Sequence, residues 1–196
     1  MSLESVQASY GARVSEYIEV VGRIEHVDAP DLALVERWAR SIEGPVLDVG
    51  CGPGQWTHYL AGLGMDAEGV DPVPEFVESA QASYPDGRYR IGQAEALGVD
   101  DGSLGGVLAW YSLIHTDPEQ VDTALTEFAR CIRPGGGLAL GFFTSSTLGP
   151  FEHAITTAYY WPVDQLTFKV EAAGFTVTHT ESRTDRSHGA ILATRT

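Results

Sequence analysis

Short continuous apolar runs alternate along this chain with longer stretches in which apolar residues recur every three or four positions. The clearest runs, Val46 to Val49, Leu104 to Trp110 and Leu138 to Phe143, have the length and composition of buried parallel strands, and the shorter Ala67 to Val70 and Arg88 to Ile91 are read as the second and third strands. Between them, periodic stripes predict helices. Leu34, Val35 and Trp38 mark one over Asp28 to Ser41, Trp56, Tyr59, Leu60 and Leu63 another over Gln55 to Leu63, and Val121, Ala124, Leu125, Phe128 and Ile132 a third beginning at Pro118. Further helices are expected from near Pro74 and from Trp161 to Ala173. Phe175 to Thr180 then gives a sixth strand, and Ala190 to Thr194 a seventh that returns antiparallel. Strand and helix in alternation predict an α/β fold, with a mostly parallel sheet sandwiched by helices.

Two segments fall outside that alternation. Ser2 to Val21 carries Val6, Tyr10, Val14, Tyr17 and Ile18 on one stripe, with no strand before it, so a helix over residues 2–21 is expected to dock on the domain. Tyr10 and Tyr17, seven apart, face the same way, either as packing or as part of a lid. Residues 144–160, rich in Ser, Thr and aromatics, form a connection too long for a compact domain unless it binds something. The 196 residues suit a single domain, 1–196.

The first run ends in Asp48-Val-Gly50-Cys51-Gly52-Pro-Gly54, a strand entering a bare turn that leads to a helix N-terminus. A dinucleotide fingerprint would need glycine where Gln55 stands, which weakens a nucleotide-dependent oxidoreductase. With Asp48 ahead of three alternating glycines, the chain resembles the class I S-adenosylmethionine-dependent methyltransferases, small-molecule type. The resemblance continues through Arg133-Pro134-Gly135-Gly136 and spans about Val46 to Phe143. It implies a Rossmann-like seven-stranded sheet of order 3-2-1-4-5-7-6 with the last strand antiparallel, and S-adenosyl-L-methionine as cofactor. It further implies that Asp48 lies near the ligand's amino group, that Gly50, Cys51, Gly52 and Gly54 form the floor for the methionine part, and that an N-terminal helix bearing tyrosines, here Tyr10 and Tyr17, closes the site.

Asp71 ends the second strand 23 positions beyond Asp48, near the distance at which doubly wound folds place an acid for ribose hydroxyls. With Pro72 it is assigned to the cofactor, the alternative being a cap on the following helix. The turn Gln93-Ala94-Glu95 after the third strand is expected to hold adenine. Gln93 stands where the family usually has Asp, and its amide oxygen can still accept a hydrogen bond. Tyr111 and His115 follow the fourth strand, whose carboxyl end is where open α/β sheets put chemistry.

Charge and composition narrow the partner. A net charge of -15 and a single lysine, Lys169, argue against nucleic acid, and no apolar stretch approaches the roughly 20 residues that span a bilayer. A small-molecule acceptor in the cytoplasm is expected. Cys51 and Cys131 suggest neither disulfide framework nor metal site, and no histidine pair has ligand spacing. His115 and His153 are the candidate bases, each with a structural alternative. Tyr10, Tyr160, His115 and His153 are expected to line the acceptor, with Arg183 and Arg186 gathering at the cofactor side of the sheet to receive an anionic group. A non-catalytic module that binds S-adenosylmethionine or its demethylated product remains the alternative to an enzyme.

Overall fold

A computed structural model describes residues 3–11, 13–14, 18–19, 22–183 and 186–196. In chain order the elements are α1 (Leu3–Gly11), a 3-10 turn (Ile24–His26), α2 (Ala29–Ala39), β1 (Val46–Val49), α3 (Gln55–Gly62), β2 (Ala67–Asp71), α4 (Pro74–Ser83), β3 (Tyr89–Ile91), β4 (Leu104–Trp110), α5 (Val121–Cys131) and β5 (Ile132–Phe143). After these come β6 (Gly149–Phe151), β7 (Ala158–Tyr160), α6 (Val163–Ala172), β8 (Phe175–Arg183) and β9 (His188–Arg195). Seven strands form one sheet in the order β3-β2-β1-β4-β5-β9-β8. β1 to β5 pair in parallel, and β9 is antiparallel to both β5 and β8. Counted within this sheet alone, that is the expected order 3-2-1-4-5-7-6.

Alternation of side chains along β4 divides the core in two. Val107 and Ala109 face α5 and α6, against Val121, Leu125, Phe128, Leu166 and Val170. Leu108 and Trp110 face α2 and α3, against Leu34, Val35, Trp38, Trp56 and Leu60. All seven residues of β4 are buried, so the strand reads as a continuous apolar run because each face is covered by helices.

Three boundaries depart from expectation. The first helix is described over Leu3–Gly11, and much of the remaining 2–21 span, Tyr17 included, lies outside the described residues. Residues 144–160 are not a plain loop: β6 and β7 pair antiparallel through Gly149↔Tyr160 and Phe151↔Ala158, and Phe151 stacks on Tyr160 with ring centroids 4.1 Å apart. β5 begins six residues early, at Ile132, with the Arg133 to Gly137 turn absorbed as a shift in its register with β4. Among the described residues no helix is long and apolar enough to cross a membrane.

Phe128 is fully buried between α5 and the sheet. Phe128→Ala is expected to lower unfolding stability by about 3–5 kcal/mol in urea titration, through the cavity it leaves.

Candidate functional site

The turn after β1 is built from backbone in the left-handed region, with φ of 71° at Gly50, 53° at Gly52 and 89° at Gly54. It is tied to β2, since Gly50 and Cys51 donate their N–H groups to the Val70 carbonyl at 2.7 and 3.1 Å. A Cβ on Gly50 would lie 2.3 Å from the Ser112 Cβ, so the absence of a side chain lets the turns after β1 and β4 meet. Gly54 is bare for a different reason. Its Cβ would strike Ala80 and the Tyr89 ring at 2.8 Å, which makes it a packing glycine under α3, and it lines neither of the two cavities that open at this turn.

Asp71 projects from the end of β2 beneath the same turn. Its Oδ2 accepts the Gly52 N–H at 2.8 Å and its Oδ1 the Val73 N–H at 2.8 Å. The carboxylate therefore fastens both the glycine turn and Val73, the residue that precedes α4, and each oxygen retains acceptor capacity for a ligand. Burial pushes its carboxyl up to about 6 against the lowering effect of those two N–H groups. Asp48, expected near the ligand's amino group, is 1% exposed, lines neither cavity and accepts the Thr57 hydroxyl at 2.7 Å, so it supports the turn from below. Desolvation raises its carboxyl to about 7 despite the Thr57 hydrogen bond, with a further push from Asp71.

The two cavities adjoin and share Tyr10, Gly50, Gly52, Trp110 and Tyr111. The first, about 160 Å³, also has Asp71, Pro72, Val73, Phe76, Glu95, Ser112 and His115 in its walls. The second, about 320 Å³, runs toward Asp28, Asp31, Cys51, Gln55, Trp56, Phe143 and His153. Of the expected adenine turn only Glu95 reaches a cavity; Gln93 is exposed and bridges to Ala96, and Ala94 packs on the core. Cys51 is buried, and burial raises its thiol well above the usual value. Tyr160 is stacked on Phe151 and lines neither cavity.

His115, 8% exposed, is held at both nitrogens. Nδ1 lies 2.8 Å from the Thr157 carbonyl, which only accepts, so Nδ1 carries the proton. Nε2 then accepts the Tyr10 hydroxyl at 2.8 Å. Burial, with a smaller contribution from His153, lowers its pKa to about 4, so the ring is neutral and presents a lone pair. His153 lies beside it, ring centroids 5.3 Å apart, and burial lowers its pKa too. α1 thus reaches the site: Tyr10 meets His115 and packs edge-on to Phe76, while Gln7 Nε2 donates to the Pro72 carbonyl at 2.7 Å.

The arginines are already engaged. Arg183 pairs with the buried Asp31 and lies 2.8 Å from Glu181, and Arg186 pairs with Asp28. The guanidinium beside Asp28 holds that carboxyl below the usual value. In the sequence Asp28 and Asp31 read as helix start signals; their partners are more than 150 positions away, and no local pattern announces them. Phe76, in the wall of the first cavity, was missed as well, four positions beyond the assigned Pro72, whereas Ser112 falls in the stretch Trp110 to His115 expected to line the reaction zone.

Known proteins agree with this geometry. A family profile described as a methyltransferase domain matches residues 46–136. An uncharacterized methyltransferase of Mycobacterium tuberculosis is 39% identical over 95 residues, which cover 48% of this chain and 38% of that protein. The chain thus spans less than half the length of that relative. Among solved structures, the 1,6-didemethyltoxoflavin-N1-methyltransferase of Burkholderia thailandensis, with its bound 1,6-didemethyltoxoflavin and S-adenosylhomocysteine, superposes at TM-score 0.77 and 21% identity, over 100% of this chain and 91% of that one. The cyclase SpnF superposes at TM-score 0.78 and 18% identity, over 97% and 96%. At such identities the superpositions show the fold alone. Residues 46–136 thus carry the profile of a methyltransferase domain, and the strand order and the glycine turn that opens this stretch agree with it.

The raised Asp48 carboxyl has a consequence for stability. Between its ordinary value of 3.8 and about 7 the folded chain keeps a proton that the unfolded chain has released. That contribution is full below the ordinary value and is lost as pH rises to about 7, by up to about 1.4 kcal/mol per pH unit. Asp48→Asn removes it while keeping an acceptor for Thr57. Urea titrations from pH 4 to 8 should show the variant gaining on the wild type up to about pH 7 and then holding level; parallel curves would contradict the assignment.

Proposed function

We propose that this chain transfers a methyl group from S-adenosylmethionine to a small-molecule acceptor held in the second cavity. The observation that carries the reading is the junction of two cavities over a backbone floor, one containing the Asp71 carboxylate and the other walled by aromatic rings and His153. The cofactor fits the residues present: Gly50 and Gly52 provide a floor without side chains, and Asp71 keeps free acceptor capacity at the mouth of the first cavity. In this reading Gly50, Cys51 and Gly52 hold the methionine part, Asp71 the ribose, and Pro72, Val73, Phe76 and Glu95 the adenine, in place of Gln93 and Ala94. When bound, the cofactor supplies a methyl group already activated on a sulfonium, and the acceptor's lone pair takes that carbon as the S–C pair returns to sulfur and the acceptor's proton departs.

The chain's task is then chiefly alignment, which is worth up to roughly 7–11 kcal/mol against about 3–5 for a general base. Tyr10, from α1, and Tyr111, from the end of β4, bound the junction on two sides. His115 presents a neutral Nε2 and accepts the acceptor's X–H once Tyr10 yields that position. An imidazole with a pKa near 4 orients such a hydrogen well and holds a proton weakly, which suits an acceptor that is itself fairly acidic. His153, at the edge of the ring, is its neighbour rather than its partner. The anionic acceptor expected from Arg183 and Arg186 loses support, because both guanidiniums are matched by aspartates.

Calorimetry with S-adenosylhomocysteine tests the reading directly: the wild type should bind, and Asp71→Ala should lose most of that affinity. With an acceptor found by a methylation screen, His115→Gln should lower kcat by about 100-fold or more while leaving the S-adenosylhomocysteine Kd within about twofold. Wild-type kcat should show no acid limb near pH 6.5, since His115 stays neutral down to about pH 4–5; a limb at 6.5 that disappears in His115→Gln would refute the neutral, buried assignment.

A further inference from the structure

The shape and charge of the second cavity bear on which acceptor it takes, provided that the first cavity is the cofactor's half, as proposed above. At about 320 Å³ it lies at the small end of the roughly 300–1,000 Å³ typical of small-molecule sites. Its formal charges are matched in pairs, Asp31 with Arg183 and Asp28 with Arg186. The Asp31 side chain is 5% exposed, and a charged ligand that drew its arginine away would leave a buried carboxylate unpaired.

The walls are flat rings inclined to one another by 49° to 89°. Trp56 and Trp110 have centroids 5.9 Å apart, Trp110 and Tyr111 5.9 Å, and Tyr111 and Phe143 5.2 Å. Trp110 is fixed in that arrangement by its Nε1–H, which donates to Asp31 at 3.3 Å, so the ion pair also sets a wall. A planar ring is the shape such walls complete.

Tyr111 stands out in two ways. It occupies the left-handed region at φ 58°, one of two described non-glycine residues to do so, and its hydroxyl is buried without a hydrogen-bond partner. Either feature costs on the order of 1–3 kcal/mol. Both fall on one residue that borders both cavities. Burial, Asp28 and Glu181 all raise its pKa, so the hydroxyl keeps its proton and can donate.

We propose that the second cavity takes an uncharged, planar aromatic or heteroaromatic acceptor, whose ring lies among Trp56, Trp110 and Phe143 and whose oxygen or ring nitrogen accepts a hydrogen bond from the Tyr111 hydroxyl. Tyr111 is then the residue that orients the acceptor, and the Asp31–Arg183 pair is a positioning element acting through Trp110.

The test uses the full chain saturated with S-adenosylhomocysteine and three probes of one size: 2-naphthol, 2-naphthoate and decahydro-2-naphthol, titrated by tryptophan fluorescence and calorimetry. The expected result is saturable binding of 2-naphthol at least about tenfold tighter than either of the others. Tyr111→Phe, which keeps the ring and removes the unpartnered hydroxyl, should weaken 2-naphthol about tenfold, leave the S-adenosylhomocysteine Kd within about twofold and raise rather than lower the melting temperature. Tighter binding of 2-naphthoate, equal binding of the saturated alcohol, no saturable 2-naphthol site, or an unaffected Tyr111→Phe variant would each overturn the inference while leaving the cofactor reading intact. Failure of S-adenosylhomocysteine itself to bind would instead overturn the cofactor reading, and this inference with it.

Discussion

The structure depends on one contact: the Asp71 carboxylate holding the backbone of Gly52 and Val73 at the carboxyl end of the sheet. A turn with three positive φ angles has little intrinsic reason to adopt a single conformation, because glycine loses more freedom on ordering than any other residue. Two bonds to the Val70 carbonyl and one to Asp71 supply that reason, all from the neighbouring strand. Register between β1 and β2 therefore sets the shape of the floor: Asp48 pairs with Gly69 and Val49 with Val70, which brings the ends of the two strands level. A carboxylate assigned to a ligand from its spacing proves also to be structural. The same oxygens can serve both purposes because each has two lone pairs and uses one on the backbone.

A second constraint closes the far side. Two aspartates at the start of α2 meet Arg183 from the end of β8 and Arg186 from the turn after it, and Asp31 also holds Trp110. This joins α2 to the last strand pair across the second cavity. Buried ion pairs often add little net stability, since desolvation offsets attraction, but they impose geometry. Here the geometry is that of an aromatic wall.

Fold and reaction are separate conclusions. Two solved structures superpose on this chain at almost the same TM-score, and one is named a methyltransferase and the other a cyclase. The sheet order is common to many chemistries, so what points to methyl transfer is the methyltransferase profile over residues 46–136, and the parts of Asp71 and His115 in it belong to the proposal.

The sequence alone located the strands and the glycine turn, because apolar runs, glycines and strand-end acids are local signals whose physical causes, burial on both faces and freedom of φ, act within a few residues, while the strand order followed from the family resemblance that those residues carry. It marked His115 and Tyr10 as well, from position after β4 and from helical spacing. Tertiary structure decided the rest. Whether Asp48 faces a ligand or Thr57, whether Gly54 serves a cavity or the Tyr89 ring, and whether Arg183 is available or matched by Asp31 all turn on partners brought together by the sheet. The residues from 144 to 160 read as a loop because a two-stranded ribbon of three residues a side has too short a period to register, and it forms only where Phe151 can stack on Tyr160 against the domain. Charge pairing and burial are properties of neighbours in space, and a linear pattern contains no record of neighbours more than 150 positions away.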